Sequence, residues 1–581
     1  MYYNTVTCNI VLVYCISRMI KKLYEACLFN KKSQEKGVSV YYLQTTFLQE
    51  VIDYNVVDVG SGSHTNQNKT AKKKLYEIEN LEKETGLIRE KGCNEICPKD
   101  GRIGTSYVDC LTGKDNVGQA NVMLSYSWGN TVEDIIDVLQ LYCLRNSLDP
   151  KRTYVWICCL CVNQHRVVEN KLNGKNVPFD EFRSVFKSRV REIKNVVALL
   201  SPWREPLYLK RVWCIFELFT ADKYESKLSI QMPKREEEDF KNSIYNSRSG
   251  VKINNEIYSS LADTNIEDAE ASVDNDRTNI MKIVNEGCGT VELDKRVNTL
   301  LRNWINTNLI EFTDELDHDF SNQEMSERSI DEMVDTYRYV GYIFSKNQQM
   351  KMALHCYTKQ RKLCEANYSP VHEKTARSYN VLGLLHKDLK EYDEAIHYHL
   401  KSISIKEEIY GTGHVETATS YFNIGRVYVE KKDYDAALNY YDKCRIINEG
   451  IYGYGHQNTA SVYDAIGLIY YHKINFQTAM SFFEKSLAIY KKVYGTDHPK
   501  TTMPLSNIGL IYYNEKQKND KALEIFLEAL TIREKVLGRD HPLTIESCKQ
   551  IYDVYNAKGD SVQAFGYFER VQRAHNAQVA T

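Results

Sequence analysis

The sequence predicts two modules, an α/β domain followed by an all-α solenoid, and three observations carry that reading. From about residue 330 onward, Gly341, Gly383, Gly425, Gly467 and Gly509 are each 42 residues apart. Two more series keep the same step: His372, His414, His456, His498 and His541, and Ala353, Ala395, Ala437, Ala479, Ala522 and Ala564, each with a one-residue slip before its fifth member. A fixed period of this size means a solenoid of stacked units. Upstream, short apolar runs alternate with amphipathic stretches, which implies parallel strands joined by helical crossovers. The length, 581 residues, is several times that of one domain.

Composition narrows the class. Hydrophobic residues at 43% and charged residues at 26% give the balance of a soluble globular chain. Lys plus Arg number 75 against 77 Asp plus Glu, so global charge supports neither nucleic-acid nor membrane attraction. The 16 cysteines follow no disulfide spacing, which predicts a reducing, cytoplasmic setting. The apolar stretch Val6 to Ile20 is too short to span a bilayer and reads as an N-terminal helix.

Within one repeat, Glu416 to Lys431 and Tyr434 to Tyr452 both carry apolar residues at helical spacing around a Lys-Lys-Asp turn, so each unit is a helix hairpin. The glycine of helix A and the alanine of helix B are small because the two helices cross closely there. Tyr-Gly pairs at 410–411, 452–453 and 494–495, and Leu537-Gly538, end helix B, where glycine can turn left-handed. The histidines that follow open the next helix as caps, being strung too far apart along a solenoid to share a metal. These units resemble tetratricopeptide repeats, and Tyr494 to Thr501 (YGTDHPKT) is similar to the kinesin light chain variety. The resemblance implies that helix A lines a concave groove for a peptide or protein. Asn423 and Asn507, two residues before the repeat glycine, either grip a peptide backbone there or belong to a solvated helix face.

In the first module, Asn121 to Ser127 reads as a strand, with Asn130 and Glu133 spaced as a capping box for a helix from Thr131 to Leu144. Tyr154 to Leu160 reads as a second strand, Phe179 to Ile193 as a helix and Val196 to Leu200 as a third strand. A helix from Pro206 to Lys223 and a strand from Leu228 to Gln231 follow. The functional crevice of such a sheet lies beyond the carboxyl ends of its strands. On this reading it is bordered by Ser125 to Gly129, Cys161 to His165 and Ser201 to Arg204.

Leu124-Ser125-Tyr126 and Trp213 to Leu218 (WCIFEL) resemble the first strand and the Trp-Cys-x-x-Glu-Leu helix of Toll/interleukin-receptor (TIR) domains. Tyr154 to Gln164 is similar to the signature of the heterokaryon-incompatibility domains, with Cys158 where that family has aspartate. The resemblance implies a flavodoxin-like, TIR-like three-layer fold, self-association through that fold, and Glu217 as the catalytic carboxylate of an NAD nucleosidase. NAD would then be a substrate, with no cofactor required. Nicotinamide leaves as a neutral ring from a cationic one, so a single carboxylate near the ribose can stabilise the oxocarbenium-like transition state. The other reading of Glu217 is a buried salt bridge to Arg189 or Arg211. Ser125, Trp128 and Trp203 are the candidate nucleotide-binding residues, the two tryptophans either stacking on adenine or closing the core. Cys158, Cys159, Cys161 and His165 are ligand types for zinc, but alternation along a strand would scatter the thiols, so no metal site is expected.

The predicted organisation is an N-terminal extension over 1–75 with a polar linker at Gly60 to Lys74, a TIR-like domain over 76–312 opened by a charged helix at Tyr76 to Lys91, an acidic linker over 313–328, and repeats over 329–575, five plus a degenerate sixth that caps them. Three functions are open to such a chain: a scaffold or adaptor that holds a protein or peptide, a partner-activated NAD nucleosidase, and a kinesin light chain-like cargo adaptor. The third lacks the heptads expected before its repeats.

Overall fold

In the computed structural model the chain forms two compact units, 1–312 and 313–581. The structure describes residues 35–57, 73–79, 86–173, 187–247, 249–261, 265–271, 274–321, 327–515, 518–539 and 541–579. The Val6 to Ile20 stretch, most of the Gly60 to Lys74 linker and residues 179–186 of an expected helix lie outside them.

The first unit is built on a six-stranded mixed sheet. Its strands are β1 (Lys36–Ser39), β2 (Val117–Gln119), β3 (Val122–Ser125), β4 (Tyr154–Trp156), β5 (Asn195–Leu199) and β6 (Lys227–Gln231), in the order β2-β1-β4-β3-β5-β6. Strands β4, β3, β5 and β6 are parallel, while β1 is antiparallel to both of its neighbours. Side chains alternate across the pleat into two cores. Val122, Leu124, Val155, Val197 and Leu199 enter one, together with Ile135 and Leu139 of α2 (Val132–Arg145). Met123, Trp156 and Val196 enter the other, with Ala221 of α3 (Val212–Lys223). The sheet therefore has helical cover on both faces.

Five expectations need correction here. Residues 36–57 belong to this unit rather than to a separate extension, because β1 pairs within the sheet and Phe47 and Val51 are buried in its core. Of the charged helix expected at 76–91, the described residues form two short turns, Leu75–Ile78 and Leu87–Gly92, and buried Glu79 accepts from the backbone N–H groups of Ile88 and Arg89 and pairs with the Arg89 guanidinium. Thr131, not Asn130, caps α2: its hydroxyl accepts from Asp134 N at 3.1 Å, while Asn130 binds Ser127 N and Ser201 O. The strand from Tyr154 stops at Trp156, and Cys158–Cys161 form one helical turn, held by Gln164 donating to Cys159 O and Val162 O. The helix expected from Pro206 begins only at Val212, because Arg211 is held extended by a bridge to Glu270 (Glu270 N to Lys210 O, 2.9 Å; Val212 N to Glu270 O, 3.0 Å).

Helices α4 (Lys234–Tyr245), α5 (Gly250–Leu261), α6 (Asp274–Glu286) and α7 (Thr290–Ser321) follow. The last of them replaces the expected acidic linker up to residue 321. Leu316 is buried, and Asp317 accepts from Tyr337 Oη at 2.6 Å and pairs with His355 at 2.8 Å and Lys359 at 3.1 Å. The acidic residues of this segment hide an apolar stripe that makes it a helix.

The second unit is six helix hairpins. They are α8 (Glu327–Lys346) with α9 (Met350–Asn367), α10 (Glu373–Asp388) with α11 (Tyr392–Tyr410), α12 (Val415–Glu430) with α13 (Tyr434–Tyr452), α14 (Gln457–His472) with α15 (Phe476–Tyr494), α16 (Thr502–Asn514) with α17 (Asn519–Leu537), and α18 (Pro542–Lys558) with α19 (Ser561–Val579). In five of them an aromatic ring of helix B lies on the glycine of helix A. A Cβ on Gly425 would stand 2.6 Å from Tyr441 Cε1, and Gly341, Gly467 and Gly509 would meet Tyr357, Phe483 and Phe526 in the same way. His399 fills that place over Gly383, and burial pushes its pKa down to about 4.

Each repeat histidine is an N-cap. Nδ1 of His372, His414, His456, His498 and His541 accepts from the backbone N–H two residues on, at 3.1–3.2 Å. Four of these rings also stack on the tyrosine before the Tyr-Gly turn or its equivalent, as His414 does on Tyr410 with centroids 4.7 Å apart. Gly411 at φ 85° and Gly453 at φ 80° take the backbone conformation that other residues avoid.

Gly425→Leu should lower the melting temperature more than His414→Ala. The leucine collides with the Tyr441 ring, an overpacking cost of roughly 1–3 kcal/mol or more, whereas the alanine removes one cap, about 1 kcal/mol. Equal shifts in thermal denaturation would contradict the packing role of the glycine series.

Candidate functional site

Three side chains from separate elements meet at the carboxyl end of β3. Ser125 closes the strand, Glu217 stands in the middle of α3, and Tyr208 lies in the turn before it. The Ser125 hydroxyl donates to Glu217 Oε2 and shares a 2.5 Å hydrogen bond with Tyr208 Oη. Ser125 and Tyr208 are buried. Glu217 keeps partial exposure as a residue, but its carboxyl is enclosed, and burial raises its pKa to about 7 against the lowering effect of the Ser125 hydrogen bond. Cys158 and Cys214 are close enough for the Glu217 charge to add to the rise that burial imposes on both thiols.

Ser125 and Glu217, singled out in the sequence for separate roles, are hydrogen-bonded to each other, and Tyr208, which joins them, was not singled out. Nothing in a chain separation of 83 residues could have paired Tyr208 with Ser125. Arg189, offered as a salt-bridge partner for Glu217, instead bonds Glu192 at 2.9 Å. Burial and Ser125 are the causes that set the Glu217 acidity, with no arginine among them.

Trp203 does not join this cluster as a ligand platform. Trp203 is fully buried, its indole Nε1 donates to Asp239 at 2.7 Å, Phe240 meets it edge to face and the Arg204 guanidinium lies over its ring. It closes the core and offers no face to an adenine. Trp128 is half-buried against the first core. The thiols at 158, 159 and 161 lie on one helical turn, and burial lifts Cys159 and Cys161 to about 12. Among the described residues no group of three or more His, Cys, Asp or Glu could hold a metal ion. A cavity of about 300 Å³ sits at the other end of the sheet, at the amino ends of the parallel strands, lined by Asn121, Asn146, Arg152, Asn195 and Lys227 among others.

In the second unit, Asn423 donates from Nδ2 to Oδ1 of Asn380 at 3.1 Å, across consecutive A helices α10 and α12. Asn380 was not singled out from the sequence, although it stands 43 residues before Asn423, one more than the period. Asn507 is half-exposed on α16. The structure does not bring Asn423 and Asn507 together, since two repeats separate them. The model for the tetratricopeptide repeat matches residues 332–408, 382–449, 416–492, 458–517 and 500–577. Residues 332–577 are tetratricopeptide repeats.

Several solved structures are similar to part of the chain. A kinesin light chain with nearly identical TPR-like repeats from Podosopora anserina is 18% identical, covering 36% of this chain and 99% of its own at a TM-score of 0.32. BtubC (BKLC) from P. vanneervenii is 16% identical over 47% of this chain and 91% of its own, at 0.30. NprR in complex with its cognate peptide NprX is 17% identical over 48% and 78%, at 0.34. No curated protein matches the chain. Among the described residues no helix is long and apolar enough to cross a membrane.

The Glu217 carboxyl supplies a pH test. Its folded pKa, about 7, lies above the ordinary 4.5, so the folded state holds the proton more tightly. That stabilisation is complete below about 4.5 and is lost as pH rises through about 7, a difference of roughly 3 kcal/mol. Glu217→Gln stays neutral throughout and should therefore match the wild type in melting temperature near pH 4.5 and exceed it at pH 8. A variant that melts lower at pH 8 would restore the salt-bridge reading, in which a stranded arginine costs about 3–5 kcal/mol.

Proposed function

We propose that the chain is a protein-interaction scaffold whose repeat array receives a peptide or protein segment along its A helices, coupled to a TIR-like α/β module. The observation that carries this reading is the Asn380–Asn423 pair between consecutive repeats. The bond fixes the Asn423 amide and leaves its carbonyl oxygen and second N–H as acceptor and donor, which is what an extended peptide backbone requires. Asn507 offers the same group on α16. Selecting a displayed peptide library on the full chain and measuring the enriched peptides by calorimetry tests the assignment. Asn423→Ala or Asn507→Ala should weaken binding at least about fivefold, the scale of one or two lost hydrogen bonds. Peptides that bind equally well to both variants would move the site off the A helices.

A second reading, NAD nucleosidase activity of the α/β module, is favoured by the enclosed Glu217 carboxyl hydrogen-bonded to Ser125 at the end of β3. Its proposed role is to stabilise positive charge developing on the ribose, with Ser125 orienting it. The full chain should then release nicotinamide from NAD, and Glu217→Gln should lower the rate at least about a hundredfold, the scale of one preorganised electrostatic group. Chromatographic detection of nicotinamide decides it. A wild type that releases none, even when artificially clustered, removes this reading and leaves the scaffold.

A further inference from the structure

The three side chains that meet at the end of β3 hold few protons, and counting them fixes the direction of each bond. A serine hydroxyl carries one hydrogen and two lone pairs. Ser125 gives its hydrogen to Glu217 Oε2, so the 2.5 Å bond between Ser125 and Tyr208 is donated by the tyrosine. Tyr208 keeps its proton to do so, because burial, with Cys214 and Glu217 close by, pushes its pKa well above the ordinary value of 10. One directed chain results, from Tyr208 Oη–H to Ser125 Oγ and from Ser125 Oγ–H to the carboxylate.

A chain of this direction favours the ionised carboxyl. Each hydrogen bond polarises the next, and the effect is larger in an enclosed site than in water. The other groups that face Glu217 do not take this part. Cys158, in the turn after β4, and Cys214, on α3 itself, are buried thiols whose pKa values are raised well above the ordinary 9, so both stay neutral. The Arg211 charge lowers Cys214 but is not among the causes that set Glu217. The hydroxyl of Ser125 is therefore the counterweight to desolvation, and Tyr208 stands behind it.

The turn that carries Tyr208 is held in place by the backbone. Leu209 N donates to Pro206 O at 3.1 Å, Arg211 N to Tyr208 O at 3.3 Å, and Arg211 is bridged to Glu270. We infer that Tyr208 is a positioning residue of this site: acting through Ser125, it keeps the Glu217 carboxylate charged and in place. The use of that charge rests on the nucleosidase reading, in which an ionised carboxylate stabilises positive charge on a ribose. The chain itself can be tested without turnover.

All five tryptophans lie within residues 1–312, so tryptophan fluorescence in urea follows the unfolding of this unit in the full chain. The stability gap between the wild type and Glu217→Gln should widen with pH and level off above about 7, where the folded carboxyl has titrated. In a Tyr208→Phe background the ionised form loses support and the folded pKa rises. The gap should then level off at least about half a unit higher, roughly a threefold change in the ionisation equilibrium. In a Ser125→Ala background the same Tyr208→Phe change should move the levelling point no further, because the link to the carboxyl is already cut. A levelling point that Tyr208→Phe leaves where it was overturns the proposal, as does one that moves equally with and without Ser125. Nicotinamide release is read separately. Where the wild type turns over NAD, the rising limb of its pH–rate profile should move up with the same half unit in Tyr208→Phe; where it does not, the nucleosidase reading falls and the levelling point alone decides whether Tyr208 acts on Glu217.

Discussion

The second unit depends on one steric constraint, the contact between a helix backbone and an aromatic ring. Wherever helix A offers a glycine, the ring at the matching place of helix B lies on its backbone, and that contact fixes how closely the two helices of a hairpin cross. The spacing within a hairpin in turn places the residues that meet the next one. Tyr379, Tyr421 and Tyr463 each hydrogen-bond a glutamate 14 residues earlier, at the end of the preceding helix B. In the sixth hairpin the glycine is absent and the close contact is lost with it. Tyr552 stands in its place, its ring 5.6 Å from that of Phe568, and Phe568 is partly turned out to solvent.

The first three joints share this tyrosine–glutamate link, and the last two, where Leu505 and Cys548 stand in the tyrosine's place, do not. The tyrosine–glutamate link is lost between the fourth and fifth hairpins, where Leu505 and Lys491 replace the pair, and Lys491 reaches Glu528 instead. Next to that joint, Asp464 is enclosed with neither carboxylate oxygen hydrogen-bonded among the described residues, and burial raises its pKa to about 8. A carboxyl enclosed in this way is held in its neutral form by desolvation, which the Ser486 hydroxyl only partly offsets.

In the first unit, the carboxyl of Glu217 is governed by desolvation more than by charge. A carboxylate in an apolar helix must find a cation or hold its proton. Here the hydroxyl of Ser125 takes one oxygen, and the Ser125–Tyr208 bond ties that hydroxyl to the turn before α3. The turn itself exists because Lys210 to Val212 bridge to Glu270, a contact between segments far apart in the chain. A long-range backbone pairing therefore sets the geometry of the candidate site.

The sequence by itself determined the repeat array almost completely, from its hairpins to its histidine caps, because each unit repeats local interactions at a fixed step and a periodic signal adds up over successive copies. It also placed β3, β5, β6 and α2 to within a few residues, since an apolar run followed by an amphipathic stretch is a local pattern. Only the tertiary structure decided the rest. Strand β1 joins a sheet whose other members lie far along the chain, the Cys158–Cys161 turn leaves an apolar run that reads equally well as strand, and α7 hides its buried stripe beneath acidic residues. Asn423 was legible as a candidate, but its partner Asn380 was not, because a hydrogen bond between neighbouring helices leaves no mark on either helix alone. The same holds for Tyr208 beside Glu217: which side chains share an enclosure depends on chain crossings, and crossings are fixed by packing.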